Sequence, residues 1–136
     1  MLSERFEQLI AFLDSNLPAP VERQEAADGS VQFTGGDPAQ VVVSLTDTSV
    51  IVAEFAGVWE SPFTFAARPK RVGLLKWRRL PETSLFNALS QLIQGARAMR
   101  LATYLTCRTC ERAKAPEFMI ADVCADCAEC ESRIVH

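Results

Sequence analysis

Residues 41–54 read VVVSLTDTSVIVAE. Two runs rich in valine and isoleucine, residues that fit the pleated surface of a sheet, flank Asp47 and its two threonine neighbours. Short polar residues between two such runs are typical of a tight turn. We therefore predict strands over residues 39–46 and 48–55 that pair antiparallel as a hairpin around Asp47.

The residues before this hairpin predict one helix and one more strand. Residues 3–15 have apolar side chains at helical spacing, and Ser3 is a suitable N-cap. The apolar positions of this helix are Phe6, Leu9, Ile10 and Leu13. Residues 19–29 are polar and rich in turn formers, and residues 30–34 have strand character.

The residues after the hairpin predict two further strands and a long helix. Strands are expected over residues 63–67 and 72–77, and the pattern becomes helical over residues 83–104. Gly95 lies inside that helix, where glycine costs about 1 kcal/mol relative to alanine, which indicates close packing there. The apolar stripe comprises Leu85, Leu89, Leu92, Ile93, Ala96 and Met99. The order predicts an α+β fold with an antiparallel sheet of four to five strands.

Four cysteines near the C-terminus form a C-x2-C-x13-C-x2-C array: Cys107, Cys110, Cys124 and Cys127. Two such pairs suit one tetrahedral Zn²⁺ held by thiolates at about 2.3 Å. Four protein ligands leave no open position for an activated water, so we predict a structural ion without a hydrolytic role.

Other interpretations of the cysteines are weaker. Disulfides would need an oxidising compartment, yet the first residues are polar and charged and lack a signal-peptide core. A thioredoxin-like motif would have a single C-x-x-C after a strand of a βαβ unit. Cys130 and the terminal His136 are further potential ligands, but the four cysteines already complete the tetrahedron.

The residues around the second pair predict the form of this module. Pro116 indicates a turn, Phe118 and Ile120 alternate as in a short strand, and the residues after Cys124 are typical of a helix start. This order favours a treble clef, with a zinc ribbon as the alternative. We expect two domains, an α+β domain over residues 1–104 and a four-cysteine zinc module over residues 105–136.

The last thirty residues carry blocks that occur together in a known group of proteins. These are the first C-x-x-C, PEFM at residues 116–119, VCADCAE at 123–129 and IVH at 134–136. They resemble the tail of a group of small uncharacterised bacterial proteins. That group usually has glycine after the first pair and Leu-Gly before the closing Ile-Val, where this chain has Glu111 and residues 132–133. The resemblance implies zinc and a bacterial cytoplasmic origin.

Charge is divided unevenly along the chain. Residues 68–114 hold eleven Lys and Arg against two acids, a formal +9, whereas the remainder is −12 and the total is −3. Arginine forks suit phosphates and an exposed tryptophan can stack on a base. The candidate nucleic-acid residues are Arg68, Lys70, Arg71, Lys76, Trp77, Arg78, Arg79, Arg97 and Arg100. The alternative is that this basic segment neutralises acids elsewhere in the chain.

The sequence offers little for catalysis. One histidine at the terminus supports no Ser-His-Asp or Cys-His arrangement, and Glu54 and Glu60 have the character of solvated surface carboxylates. No apolar run reaches the roughly 18 residues that span a bilayer, so we expect a soluble protein. The cytoplasmic location is what the resemblance implies, together with the lack of a signal-peptide core. We predict a non-catalytic zinc-binding interaction module whose partner is nucleic acid or protein. The alternatives are a protein adaptor or chaperone-like protein, and a thiol or metal sensor.

Overall fold

The computed structural model describes residues 4–61, 64–120 and 123–127. The first part of the chain forms two helices and seven strands. In chain order these are α1 (Glu4–Asn16), β1 (Val21–Glu25), β2 (Val31–Gly35), β3 (Val41–Leu45), β4 (Val50–Glu54), β5 (Gly57–Ser61), β6 (Thr64–Ala67), β7 (Lys70–Leu75) and α2 (Glu82–Ala102). The cysteine segment adds four two-residue strands: β8 (Leu105–Thr106), β9 (Ala113–Lys114), β10 (Met119–Ile120) and β11 (Val123–Cys124).

The predicted hairpin forms the centre of the main sheet. Strands β3 and β4 pair antiparallel with Leu45 opposite Val50, and the Ser49 carbonyl accepts the Thr46 N–H at 2.9 Å across the turn. The sheet has the order β1-β2-β3-β4-β7, with every neighbouring pair antiparallel. The predicted α+β fold is therefore confirmed. Strands β5 and β6 form a separate hairpin between β4 and β7 along the chain.

Both helices pack on one face of this sheet. Alternate residues of β3 and β4 are fully buried, as strands with one covered face require. Phe12 of α1 stacks on Phe86 of α2 with ring centroids 4.9 Å apart. The core they enclose includes Phe6, Leu9, Leu13, Phe33, Val43, Val52, Trp77, Leu85, Leu89 and Ile93. Within the described ranges, neither helix has the length and apolarity needed to cross a membrane.

Several sequence-based boundaries differ from the structure. The polar stretch at residues 19–29 contains edge strand β1, which reads VERQE and exposes four of its five residues. No hydrophobic alternation marks such a strand, because it is held by backbone pairing to β2. The strand predicted over residues 72–77 ends at Leu75, and Trp77 lies in a 3₁₀ turn. The predicted N-cap Ser3 and the strand start Phe63 lie outside the described residues.

The packing of α2 differs from the sequence-based prediction at two positions, Met99 and Gly95. Met99, assigned to the apolar stripe, is 48 % exposed, and the next residue, Arg100, is buried in its place. A Cβ added at Gly95 would meet no atom within 4 Å, so the predicted close packing there is wrong. The close approach between sheet and helix is at Gly73 of β7, where a Cβ would lie 2.7 Å from Leu92.

Candidate metal centre

The first cysteine pair lies in the loop between β8 and β9. This hairpin is closed by the Cys107 N–H, which donates to the Arg112 carbonyl at 2.9 Å. Within the loop, the Glu111 N–H donates to the Cys107 carbonyl, also at 2.9 Å. Glu111 adopts φ of 60°, the left-handed conformation that glycine tolerates best. The tight loop turns Cys107 and Cys110 toward the same side.

The second pair begins at the end of a short hairpin. Cys124 is the last residue of β11 and lies opposite Met119 of β10. Residues 125–127 are helical, so Cys127 follows Cys124 by about one helical turn. This agrees with the prediction that a helix starts at the second pair. The choice between treble clef and zinc ribbon depends on residues after 127, so it stays a prediction.

The four predicted ligands come together in space. Their Sγ atoms all lie within 4.8 Å of one another, and those of Cys110 and Cys124 are 3.9 Å apart. A tetrahedral ion with sulfur ligands at about 2.3 Å requires sulfur separations of about 3.8 Å. The four thiols are free, and two of them, Cys107 and Cys124, are buried. The residues present therefore fit a four-coordinate metal ion.

Local hydrogen bonds favour ionisation of one of these thiols. The N–H groups of Cys110 and Cys124 point at the Cys107 sulfur, at 3.5 and 3.3 Å. These donors lower the pKa of Cys107 from 9.0 to about 6. Hydrogen bonding to the Cys124 sulfur, with burial, raises the pKa of Cys127 to about 12. A cation bound among the four sulfur atoms would favour ionisation of the thiols, because the thiolate is the form that binds metal.

The cysteine segment has a very small apolar core of its own. Its buried members are Cys107, Val123 and Cys124, with Met119 and the other two ligands packed beside them. Such a core buries little apolar surface apart from the sulfurs themselves. Metal–ligand bonds would therefore supply most of the cohesion of this segment.

A buried ion pair joins this segment to the rest of the protein. The Arg100 guanidinium of α2 donates to Glu117, which lies in the 3₁₀ turn between the two cysteine pairs. Arg100 also donates through Nε to the Ala39 carbonyl at 3.0 Å. Its guanidinium lies 5.0 Å from the Phe55 ring centroid and 5.2 Å from that of Tyr104. One side chain thus connects helix, sheet and cysteine segment.

Two of the nine candidate nucleic-acid residues are buried. Trp77 is 1 % exposed, and its indole Nε1 donates to the Thr46 carbonyl at 2.9 Å. It has no free ring face on which a base could stack, which corrects that part of the prediction. Arg100 is 2 % exposed and engaged with Glu117, so it too is unavailable to a phosphate. The side chains of Trp77 and Arg100 therefore stabilise the folded structure.

The other seven basic candidates are exposed, and two of them, Lys70 and Lys76, lie far apart along the chain direction of β7. The seven are Arg68, Lys70, Arg71, Lys76, Arg78, Arg79 and Arg97. Strand β7 separates Lys70 from Lys76 by about 20 Å, at about 3.3 Å per residue. Arg68 pairs with Glu60 at 3.0 Å. Nucleic-acid contact by these residues stays a prediction.

The burial of the Glu54 carboxylate was not predicted from the sequence. Glu54 was expected at the solvated surface with Glu60, yet it is 4 % exposed. It shares the helix-facing side of β4 with Val50 and Val52, because alternate residues of a strand face the same way. The alternation V-x-V-x-E was the available signal, since it places the glutamate on the buried face.

No protein-family model matches the chain, and neither a curated protein nor a solved structure shows significant similarity to it. The resemblance to bacterial proteins with a four-cysteine tail therefore stays a prediction. Part of it, including Ala128, Glu129 and the closing residues 134–136, lies outside the described residues, as do Cys130 and His136.

Proposed function

We propose that Cys107, Cys110, Cys124 and Cys127 bind one Zn²⁺ with a structural role. The observation that carries this proposal is the closed set of four free thiols within 4.8 Å of one another. Thiolates in a tetrahedral array suit zinc, and the main competitor for the same ligands is iron. With four protein ligands, the ion has no position left for a substrate or water.

The test of this proposal is elemental analysis of protein purified without added metal. We expect one zinc per chain, lost in Cys124→Ser and retained in Glu111→Ala, which alters the same loop without removing a ligand. One iron per chain, or full zinc occupancy in Cys124→Ser, would contradict the proposal. Release of zinc by mild peroxide would instead favour the sensor alternative.

We further propose that the protein is a non-catalytic interaction module of the bacterial cytoplasm, and that its partner is a protein. The supporting feature is the β5–β6 hairpin, which forms its own two-stranded sheet. Trp59 on this hairpin is 50 % exposed and packs edge-on against Phe65, with ring centroids 5.3 Å apart. Tryptophan held rigidly at a surface is over-represented among the residues that dominate protein interfaces.

A matched pair of substitutions tests the protein-partner proposal. Captured protein sets are compared among wild type, Trp59→Ala and Met99→Ala, since Met99 is similarly exposed but lies on α2. We expect one or more captured proteins to be lost only with Trp59→Ala. The affinity of each such protein for wild type and for Trp59→Ala is then measured with purified components. Equal loss in both variants, or in neither, would remove the hairpin from the proposal.

Nucleic-acid contact is a second candidate, favoured by unpaired exposed cations. Lys70, Arg71, Lys76 and Arg79 have no ion-pair partner among the described residues. Fluorescence anisotropy with short DNA and RNA, titrated across salt, tests it. Micromolar binding with a steep salt slope, weakened in Lys76→Ala/Arg79→Ala, would establish phosphate contact. Absence of binding at low salt would assign these side chains to solubility and protection of the sheet edge.

A further inference from the structure

The outer edge of strand β7 has the backbone groups that a further strand would need. Strand β7 is the last strand in the order of the main sheet, so it is paired only on the side of β4. The β5–β6 hairpin, which precedes β7 in the chain, forms a separate sheet. Within the described part of the chain, the backbone of residues 70–75 makes no hydrogen bond outside its pairing with β4. Such a row of unpaired N–H and C=O groups is where an extended chain adds to a sheet.

The residues along this edge carry positive charge only. Residues 61–81 contain six lysines and arginines and not one aspartate or glutamate. Between these cations, the side chains of Val72 and Leu74 are half-buried. A strand lying along β7 would therefore meet apolar side chains in its middle and cations around them. The six cations are Arg68, Lys70, Arg71, Lys76, Arg78 and Arg79.

Arg71, Lys76 and Arg79 are the cations that this edge offers to a partner. Their side chains are exposed and form no ion pair with the described residues. Arg71 lies in β7 and Lys76 directly follows it, so the two are five residues, or about 16 Å, apart along the strand direction. Lys70 differs from them, because it lies opposite the buried carboxylate of Glu54. An added strand would thus find a cation near each of its ends.

The other edge strand of the sheet has the opposite charge. Strand β1 reads VERQE, so its two carboxylates, Glu22 and Glu25, outnumber its single cation. That cation, Arg23, is paired with Asp14 at 3.4 Å. Because the two edge strands differ in charge, an acidic segment would be attracted to β7 and repelled by β1.

We propose that the edge of β7 binds an acidic, extended segment of a partner protein, which adds to the sheet as a further strand. Such binding would be one contact of the protein partner proposed above, on which this role rests. Backbone hydrogen bonds to β7 would supply affinity, and carboxylates near the two ends of the segment would pair with Arg71 and Lys76. Nucleic acid fits this edge less well, because phosphates cannot continue the ladder of backbone hydrogen bonds and the adjacent Trp77 is buried.

Three blocked peptides separate the effect of the strand from that of its charge. The first is acetyl-Glu-Glu-Val-Thr-Val-Thr-Glu-Glu-amide, whose inner two glutamates are spaced like Arg71 and Lys76. The second has Gln in place of every Glu, and the third keeps the charges but has Pro in place of both Val. Proline has no N–H to donate and is excluded from paired strands.

Titration calorimetry of the three peptides on the zinc-loaded full chain gives the result. We expect saturable binding of the first peptide and at least tenfold weaker binding of the other two. Equal affinities of the first and third would mean that charge alone attracts the peptide, and equal affinities of the first and second that charge has no part; either would overturn the proposal. So would absence of saturable binding of the first at low salt, which would assign the cations to protection of the edge.

Two double substitutions locate the site. Arg71→Gln/Lys76→Gln should weaken the first peptide by about fivefold, the effect of losing two exposed charge pairs. Arg97→Gln/Arg112→Gln removes the same charge from exposed positions on α2 and the cysteine segment and should leave its affinity unchanged. Equal weakening in both variants would mean attraction by net charge, which contradicts a site at β7.

Hydrogen exchange tests the added strand directly. Binding of the first peptide should slow exchange at the amides of β7 that face away from β4 and leave β1 unchanged. Slower exchange at β1 and not at β7 would overturn the proposal. Trp59→Ala should bind the peptide as wild type does, because Trp59 lies on the separate β5–β6 hairpin. A partner lost with Trp59→Ala, together with no peptide binding, would therefore uphold the protein partner and remove only the contact at β7.

Discussion

Arg100 and Glu117 form a buried ion pair that fixes the cysteine segment on the long helix. Their side chains are 3 % and 10 % exposed, respectively. Arg100 is also held by the Ala39 carbonyl, so it cannot follow Glu117 if the segment moves. The predicted division into domains at residue 104 therefore crosses a specific polar contact. The position of the four thiols relative to the sheet depends on it.

Removal of the arginine should strongly destabilise the protein. Arg100→Met keeps an unbranched apolar stem but leaves Glu117 as a buried charge without a partner. We expect a loss of about 3–5 kcal/mol in the free energy of unfolding, as is usual when one member of a buried pair is deleted. Urea unfolding of the zinc-loaded protein measures this loss.

Arg97 is the matched control for this substitution. It lies on the same helix, is exposed, and donates to the Gln40 side chain at 2.9 Å. Arg97→Met should change stability by less than about 1 kcal/mol, because a single exposed polar contact contributes little. Equal losses in the two variants would show that the Arg100–Glu117 contact has no special role.

Glycine in place of Glu111 should stabilise the cysteine segment. Glu111 has φ of 60°, a conformation that costs residues with a Cβ roughly 1 kcal/mol or more. We expect Glu111→Gly to raise stability by about 1 kcal/mol, whereas Glu111→Ala removes the same carboxylate without relieving the backbone. Thermal unfolding of the two zinc-loaded variants provides the comparison. Equal midpoints would mean that the backbone conformation is not a source of strain.

Sequence patterns predicted the centre of the fold, but they did not predict features that depend on contacts between residues distant in the chain. The hairpin around Asp47 and the four cysteines follow from local spacing, so both were predictable. Arg100 was a candidate for phosphate contact, with neutralisation of an acid elsewhere in the chain as the alternative, and its pairing with Glu117 agrees with the alternative. Its burial could not be predicted, because the contacts that explain it, Glu117 and the Ala39 carbonyl, are distant in the chain. Strand β1 was missed because polar edge strands carry no periodic signal.

Alanine in place of Gly95 should stabilise the protein, because the position has room for a side chain. A Cβ at Gly95 would have no atom within 4 Å, whereas one at Gly73 would lie 2.7 Å from Leu92. Gly95→Ala should therefore stabilise the protein by about 1 kcal/mol through helix propensity. Gly73→Ala should give no such gain, because the end of the Leu92 side chain must first shift to make room. Urea unfolding measures both, and a loss of stability in Gly95→Ala would restore the close packing expected from the sequence.

Removal of the metal should loosen the cysteine segment and leave the sheet intact. Apart from cysteines, its apolar cluster contains only Val123 and Met119 among the described residues, too few to hold the segment together. Hydrogen exchange after chelation should show faster exchange at strands β8 and β9 and at Glu117. Strands β3 and β4 should keep their protection, because their core comes from both helices.

A variant without the Arg100–Glu117 ion pair separates the contribution of the metal from that of the ion pair. In Arg100→Met the segment has lost its polar contact with α2, so any remaining protection of β8 and β9 must come from the metal. Chelation of that variant should then abolish protection completely, whereas chelated wild type should retain a part of it through Glu117. Equal protection before and after chelation in both proteins would show that the four thiols hold the segment together without a metal ion.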